Sequence, residues 1–162
     1  MDIVSHAVGM QHSQLILEWI NSTAAREFSQ SQKEISIDEH NIWFRSRILK
    51  VPLEPFWIVS LDKNYVGYVR LDLLNGKRDL FTVSILVLPE FQRAGIGTQI
   101  LSDALKTTVE HNPKSSFRAI IKKNNLGSIQ LFQRQGFQLK AEIDANFNEY
   151  RLTAREFLEK CD

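Results

Sequence analysis

The chain has almost no cysteine. A single residue, Cys161, stands next to the C-terminus, so no internal disulfide forms and an apolar core must hold the fold. Histidine is also scarce, and His6, His12, His40 and His111 show no ligand spacing with that cysteine or with carboxylates, which argues against a metal centre. No apolar run is long enough to span a bilayer. The first residues include no apolar stretch of the secretory kind, so the expectation is a cytoplasmic chain. Charge of neither sign is in excess: 20 Lys and Arg face 19 Asp and Glu, a net charge of +1. Such a balance gives no general attraction to nucleic acid or to a membrane surface. Repeats and low-complexity tracts are missing. What is present is an ordinary globular composition, 43% apolar and 24% charged over 162 residues, enough for one domain spanning residues 1–162 with a core of its own.

The periodicity predicts a mixed α/β order. A weak strand over 2–9 leads to a helix over 11–21 with Leu15, Ile16, Trp19 and Ile20 on one face. Residues 22–35 are polar and read as a loop with room for a short helix. Ser36 or Asp38 then caps a helix carrying Ile42, Trp43, Ile48 and Leu49. Strands follow at 56–61, 65–74 and 79–88, joined by turns at Asp62-Lys63-Asn64 and Asn75-Gly76. A helix from Gly95 to about His111, a strand over 116–122, a helix over 125–135 and strands near 137–143 and 148–153 complete the reading.

Two segments carry chemistry. In the first, the apolar strand ending Ile85-Leu86-Val87-Leu88 stops at Pro89. Gln92-Arg93-Ala94-Gly95-Ile96-Gly97-Thr98 then opens a helix. A helix start has unpaired N–H groups and a partial positive charge, and glycine lets a phosphate approach the backbone. The spacing fits neither a Walker loop, which needs Lys and Ser or Thr after the second glycine, nor a dinucleotide fingerprint, which needs a third glycine where Ile100 stands. The second segment, Asn125 to Phe137, begins with a capping-type Asn, carries Ile129 and Phe132 on one face and ends at Gly136. Each alone also fits a plain capped helix.

Together and in this order, the two segments resemble the GNAT superfamily of N-acetyltransferases. Gln92, Gly95 and Gly97 after Val87-Leu88-Pro89 match that family's phosphate-loop pattern. Asn125, Ser128, Ile129, Leu131, Phe132, Gly136 and Phe137 match its later one. The resemblance implies a mostly antiparallel sheet, splayed where the fourth and fifth strands part, with flanking helices. It implies acetyl-CoA as co-substrate and no metal. Backbone groups of Ile85, Leu86 and Val87 would run beside the pantetheine arm, with Val87 at a bulge and its N–H on the thioester oxygen. Residues Gln92 to Thr98 would cradle the pyrophosphate, and Asn125 and Phe132 would reach the cofactor from the far side.

Two departures bear on catalysis. Many members have Tyr where this chain has Phe132, and several have a Glu base where it has Ile120, so no side-chain acid or base is identified. A weaker resemblance covers the acceptor side: Trp19-Ile20-Asn21, Arg26, the Glu39-His40 to Trp43-Phe44 helix, and Gly67 to Asp72. These look like a subgroup that acetylates nucleotide-linked amino sugars, although Ile20 replaces its usual Arg. Asn21, Arg26, His40, Trp43 and Arg70 are therefore the candidate substrate residues. Other readings are a protein N-terminus or lysine, a small-molecule amine, or a non-catalytic acyl-CoA-binding module. The expected partner is a small-molecule amine, and the expected state a monomer or homodimer.

Overall fold

A computed structural model describes residues 2–161, so Met1 and Asp162, the ends of the expected domain, lie outside it. In chain order the elements are β1 (Ile3–Ala7), α1 (Ser13–Asn21), α2 (Thr23–Phe28), α3 (Ile37–Ile48), β2 (Phe56–Leu61), β3 (Asn64–Leu73), β4 (Leu80–Val87), α4 (Ile96–His111), β5 (Ser116–Lys122), α5 (Leu126–Arg134), β6 (Gln138–Glu142), β7 (Phe147–Thr153) and α6 (Ala154–Cys161). The strands form one sheet in the order β1-β2-β3-β4-β5-β7-β6. Every neighbouring pair is antiparallel except β4 and β5, which run parallel.

Local chemistry explains the elements. Ser36 caps α3 by accepting from the Glu39 N–H, and the Glu39 carboxylate accepts from the Ser36 N–H in return. In the polar 22–35 segment Ser22 accepts from the Ala25 N–H and starts α2, so that stretch holds a helix as well as a loop. The terminal helix α6 was not expected. Its signal was a second reciprocal cap: Thr153 Oγ1 accepts from the Glu156 N–H, and the Glu156 carboxylate accepts from the Thr153 N–H.

Side chains alternate across the strands and build two cores. One lies under α4, α5 and α6 and includes Val69, Leu71, Phe81, Val83, Leu101, Leu105, Phe117, Phe132 and Phe157. The other lies under α1 and α3 and includes Ile16, Trp19, Phe44, Phe56, Ile58 and Tyr68. The sheet is therefore a wall with a helix layer on each side.

The expected bulge at Val87 is not in the ladder. Pairing of β3 with β4 runs in unbroken register from Leu73–Phe81 to Gly67–Val87. The register shift lies instead between β2 and β3, at Val59/Ser60. Strands β3 and β4 do approach closely at that end. A Cβ on Gly67 would stand 2.1 Å from the Leu86 carbonyl oxygen, so only glycine fits there.

His40 sits in the second core, 1% exposed. Its Nε2 contacts the Ser13 carbonyl at 2.9 Å and the Ser13 hydroxyl at 3.1 Å, while its buried Nδ1 has no partner. Burial lowers its pKa below the usual 6.5, against the opposing pull of the Ser13 carbonyl. The pKa of His12 is lowered likewise, by burial and then by His6. A depressed folded-state pKa stabilises the fold fully above the unfolded value, and that contribution is lost as pH falls through the folded one. Thermal melts are expected to show stability dropping between pH 7.5 and 5, with a shallower drop in His40→Phe. Equal slopes in the two proteins would show that His40 plays no part.

Candidate active site

The parallel pairing of β4 with β5 is short. Leu80, Phe81 and Thr82 pair with Ser116, Phe117 and Arg118, and there the ladder ends. Beyond it the strands part, as the family resemblance implied. The bonds at the two ends of the β3–β4 ladder, Leu74 N–H to Leu80 O and Leu88 N–H to Val66 O, fix its phase. In an antiparallel ladder alternate residues bond the same neighbour. Even-numbered residues of β4 therefore bond β3, and Ile85 and Val87 turn their N–H and C=O groups into the gap that β5 has left. The Val87 carbonyl accepts from Gln92 Nε2 at 2.8 Å, which leaves the Val87 N–H as the donor facing the gap.

The loop after β4 opens the same gap at its top. A 3-10 turn, Pro89–Phe91, leads into Arg93 at φ 64° and Gly95 at φ 78°. Gly95 is the N-cap of α4, and no side chain caps the helix. The Gln99 N–H is taken by the Gly95 carbonyl at 3.1 Å, so the N–H groups of Ile96, Gly97 and Thr98 have no intrahelical partner. No acidic residue stands in the first turn to fill that positive end. Gly97 faces the junction of β4 and α5: a Cβ there would lie 3.6 Å from Val87 and 3.5 Å from Leu131, ordinary contacts. The exposed Ala94 backbone completes the loop. This cradle of free donors fits a pyrophosphate, and the Val87 N–H fits an acyl oxygen.

Across the gap, Asn125 caps α5 with its Oδ1, which accepts from the Ser128 N–H at 3.1 Å, so its Nδ2 remains a donor. Leu86 points to the opposite face and packs at the edge of the second core. Phe132 is 3% exposed and meets Phe137 edge-on at 4.9 Å. It contributes packing to the core.

The acceptor-side residues divide. Asn21 clamps a loop: its Nδ2 donates to the Ile35 carbonyl at 2.8 Å and its Oδ1 accepts from the Ile35 N–H at 2.9 Å. Arg26 is committed too, donating to the carbonyls of Ile20, Ser31 and Lys33 and to the Ser29 hydroxyl. A diphosphate would have to displace four hydrogen bonds to engage it. Asn21 and Arg26 thereby shape the 22–36 segment, whereas buried His40 is held by Ser13 of α1. Trp43 and Arg70 are different. The Arg70 guanidinium lies over the Trp43 ring, 4.8 Å from its centroid, and both are only partly covered.

Sequence reasoning missed Arg47, Arg118, Glu149 and Arg151, the further charged residues of this face. Register places Asp72, Thr82, Arg118 and Arg151 in one row across β3, β4, β5 and β7, on the face away from the first core. Buried Arg47 of α3 donates from Nε to Asp72 at 2.6 Å and from its Nη atoms to the carbonyls of Glu54, Pro55 and Leu71. Arg70 Nε lies 3.1 Å from Asp72 Oδ2 with its N–H off-line, an ion pair without a formed hydrogen bond. Glu149, 7% exposed, is flanked by Arg118 and Arg151. Tyr68, opposite Leu86, stacks edge-on with Phe56, and its hydroxyl has no partner among the described residues. Burial raises the Tyr68 pKa above 10.0, so it stays a neutral phenol at physiological pH. Only long-range pairing assembles this group, and no local motif announces it.

Gly95→Val is expected to weaken acetyl-CoA binding at least tenfold, because a β-branched residue resists φ 78° while nothing crowds the site otherwise. Calorimetry showing unchanged affinity would remove the loop from the site.

The family model for the acetyltransferase (GNAT) family matches residues 15–137. Among curated proteins none matches the chain. Among solved structures, a domain from Methanocaldococcus jannaschii DSM 2661 is similar at a TM-score of 0.82 and 25% identity, over 94% of this chain and 98% of that one. A spermidine N-acetyltransferase from Vibrio cholerae, solved with CoA and spermine, gives 0.81 and 17% over 96% and 98%. The aminoglycoside acetyltransferase AAC(6')-Ib, solved with coenzyme A, gives 0.80 and 13% over 99% and 100%. With these two enzymes the likeness is one of fold. The family match takes in both strands of the cleft, the loop above it and α5, and on that ground the chain belongs to the acetyltransferase (GNAT) family and is an acetyl-CoA-dependent N-acetyltransferase.

Proposed function

We propose that this acetyltransferase acts on an anionic acceptor, the free primary amine of a nucleotide-linked amino-deoxy sugar. The charge of the acceptor face carries the reading. Four arginines, Arg47, Arg70, Arg118 and Arg151, meet two carboxylates, Asp72 and Glu149, on that face. Each carboxylate lies between two arginines, so neither is left to receive a cationic substrate. A unit charge about 8 Å away interacts with about 2 kcal/mol at the effective dielectric of a protein surface. That disfavours a polyamine or aminoglycoside and favours a diphosphate. The Trp43 ring under Arg70 supports the reading further, as a flat surface beside a cation for a base or sugar.

In this account the amine attacks the acetyl carbonyl of acetyl-CoA within the β4–β5 gap. The Val87 N–H meets the oxygen as it becomes anionic, and collapse releases the CoA thiol and the amide. Helix start and strand edge hold the reactants in place, and with Phe132 and Ile120 at the two usual catalytic positions, proximity carries most of the rate. Tyr68 offers the acceptor a neutral hydroxyl.

Thiol release across nucleotide amino sugars, spermidine and N-terminal peptides tests the acceptor. The highest kcat/KM is expected with a nucleotide amino sugar, falling as salt is raised. Preference for a peptide N-terminus or for spermidine would overturn the acceptor and leave the family unchanged. Arg26→Ala is expected to lower thermal stability and leave the ratio of acceptor KM to acetyl-CoA KM within about threefold. A selective rise in acceptor KM would instead place Arg26 at the substrate.

A further inference from the structure

We infer that Arg118 and Arg151 form a diphosphate-binding subsite on the open sheet face below the β4–β5 gap. The subsite deepens the acceptor reading above and rests on it for its role. The two arginines are direct cross-strand partners on β5 and β7, so their Cα atoms are about 5 Å apart and their side chains leave the same face. Each is fixed at Nε. Arg118 Nε donates to Thr82 Oγ1 at 2.9 Å, and Arg151 Nε donates to the Glu149 carboxylate. Glu149 is itself buried and stands 3.6 Å from Arg118 Nη1, an ion-pair distance beyond a hydrogen bond. The Nη ends of both guanidinia therefore remain without hydrogen-bond partners among the described residues.

A planar fork held at its Nε and free at its Nη atoms is pre-set for bidentate contact with a phosphate. Two such forks side by side suit two adjacent phosphoryl groups. One arginine would neutralise Glu149, so the second leaves a surplus positive charge. The side chains are 24% and 34% exposed, neither sealed nor loose. The helices that pack on β5 and β7, which are α5 and α6, bury their side chains in the first core on the opposite face. On the pair's own face α2 reaches β5 at Lys122, whose Nζ donates to the Glu27 carbonyl, and beside it both arginine side chains keep that exposure.

Reach sets the size of the occupant. Thr82, level with Arg118, is five residues below Val87, about 16 Å along the strand. An extended arginine shortens that gap by several Å, but a small free amine could not touch both ends. An amino sugar carrying a diphosphate and a nucleoside could.

The test is calorimetric titration of inorganic pyrophosphate into the full chain saturated with CoA, so that the 92–98 loop is already filled. One saturable site is expected. Arg151→Gln should weaken it at least tenfold with CoA affinity unchanged. Arg118→Lys, which keeps the charge and loses the fork, should weaken it by a smaller factor and serves as the comparison if Arg151→Gln does not fold. No pyrophosphate binding to the CoA-saturated wild type, or equal affinity in the variants, overturns the subsite. Arg151-dependent binding without turnover of any nucleotide amino sugar keeps the subsite and removes the proposed acceptor. Turnover with an acceptor KM unchanged in Arg151→Gln keeps the acceptor and overturns the subsite.

Discussion

The early end of the β4–β5 ladder is the constraint from which the site follows. A parallel pair normally continues until one strand stops, because each lost bond exposes backbone groups. Here it ends after Thr82 and Arg118, although β4 runs on to Val87 and β5 to Lys122. The cost is a set of unpaired donors and acceptors in the middle of a sheet. The same groups are what the cleft has to offer a ligand, since Ile85 and Val87 keep backbone open where a continuous sheet would pair it. Gln92 covers one of them, the Val87 carbonyl, and leaves the adjacent N–H open.

Position on the wall then decides what meets in the gap. The phosphate-type loop and α5 belong to the side of the first core, and the arginine row belongs to the side of α1 and α3. Alternation along β4 keeps the two apart: Phe81 and Val83 point to one layer while Thr82 and Leu86 point to the other. A reactant bound on each side can meet only through the gap. The 22–36 segment borders the acceptor side and is held rigid by Arg26 and Asn21, and Lys122 Nζ donates to the Glu27 carbonyl at 2.7 Å, tying that segment to β5.

Most of the fold was legible in the sequence because its signals are local. Turn residues, caps and alternation located every strand to within a few residues, and Gly95 and Asn125 marked two helix starts. The 92–98 loop was legible for the same reason: a loop opening a helix is a contiguous stretch of chain. The long-range polar contacts were not. Arg26, Asn21 and His40 are polar residues in a polar region, and sequence cannot tell a side chain that holds its own backbone from one that waits for a ligand. Arg118, Glu149 and Arg151 are unremarkable in sequence, separated by up to 33 positions, and become a group only through the β5–β7 register. Helix α6 was overlooked although Thr153 and Glu156 have capping-box spacing, because the strand before it runs directly into the cap.

The central claim is that alternate backbone amides of β4 face the cofactor. Backbone amide NMR during titration with acetyl-CoA reads it directly. The account predicts large shifts for Ile85, Val87, Ile96, Gly97 and Thr98 and small ones for Leu86 and Leu88, whose N–H groups are bonded to β3. Large shifts at Leu86 and Leu88 with Val87 unmoved would contradict it.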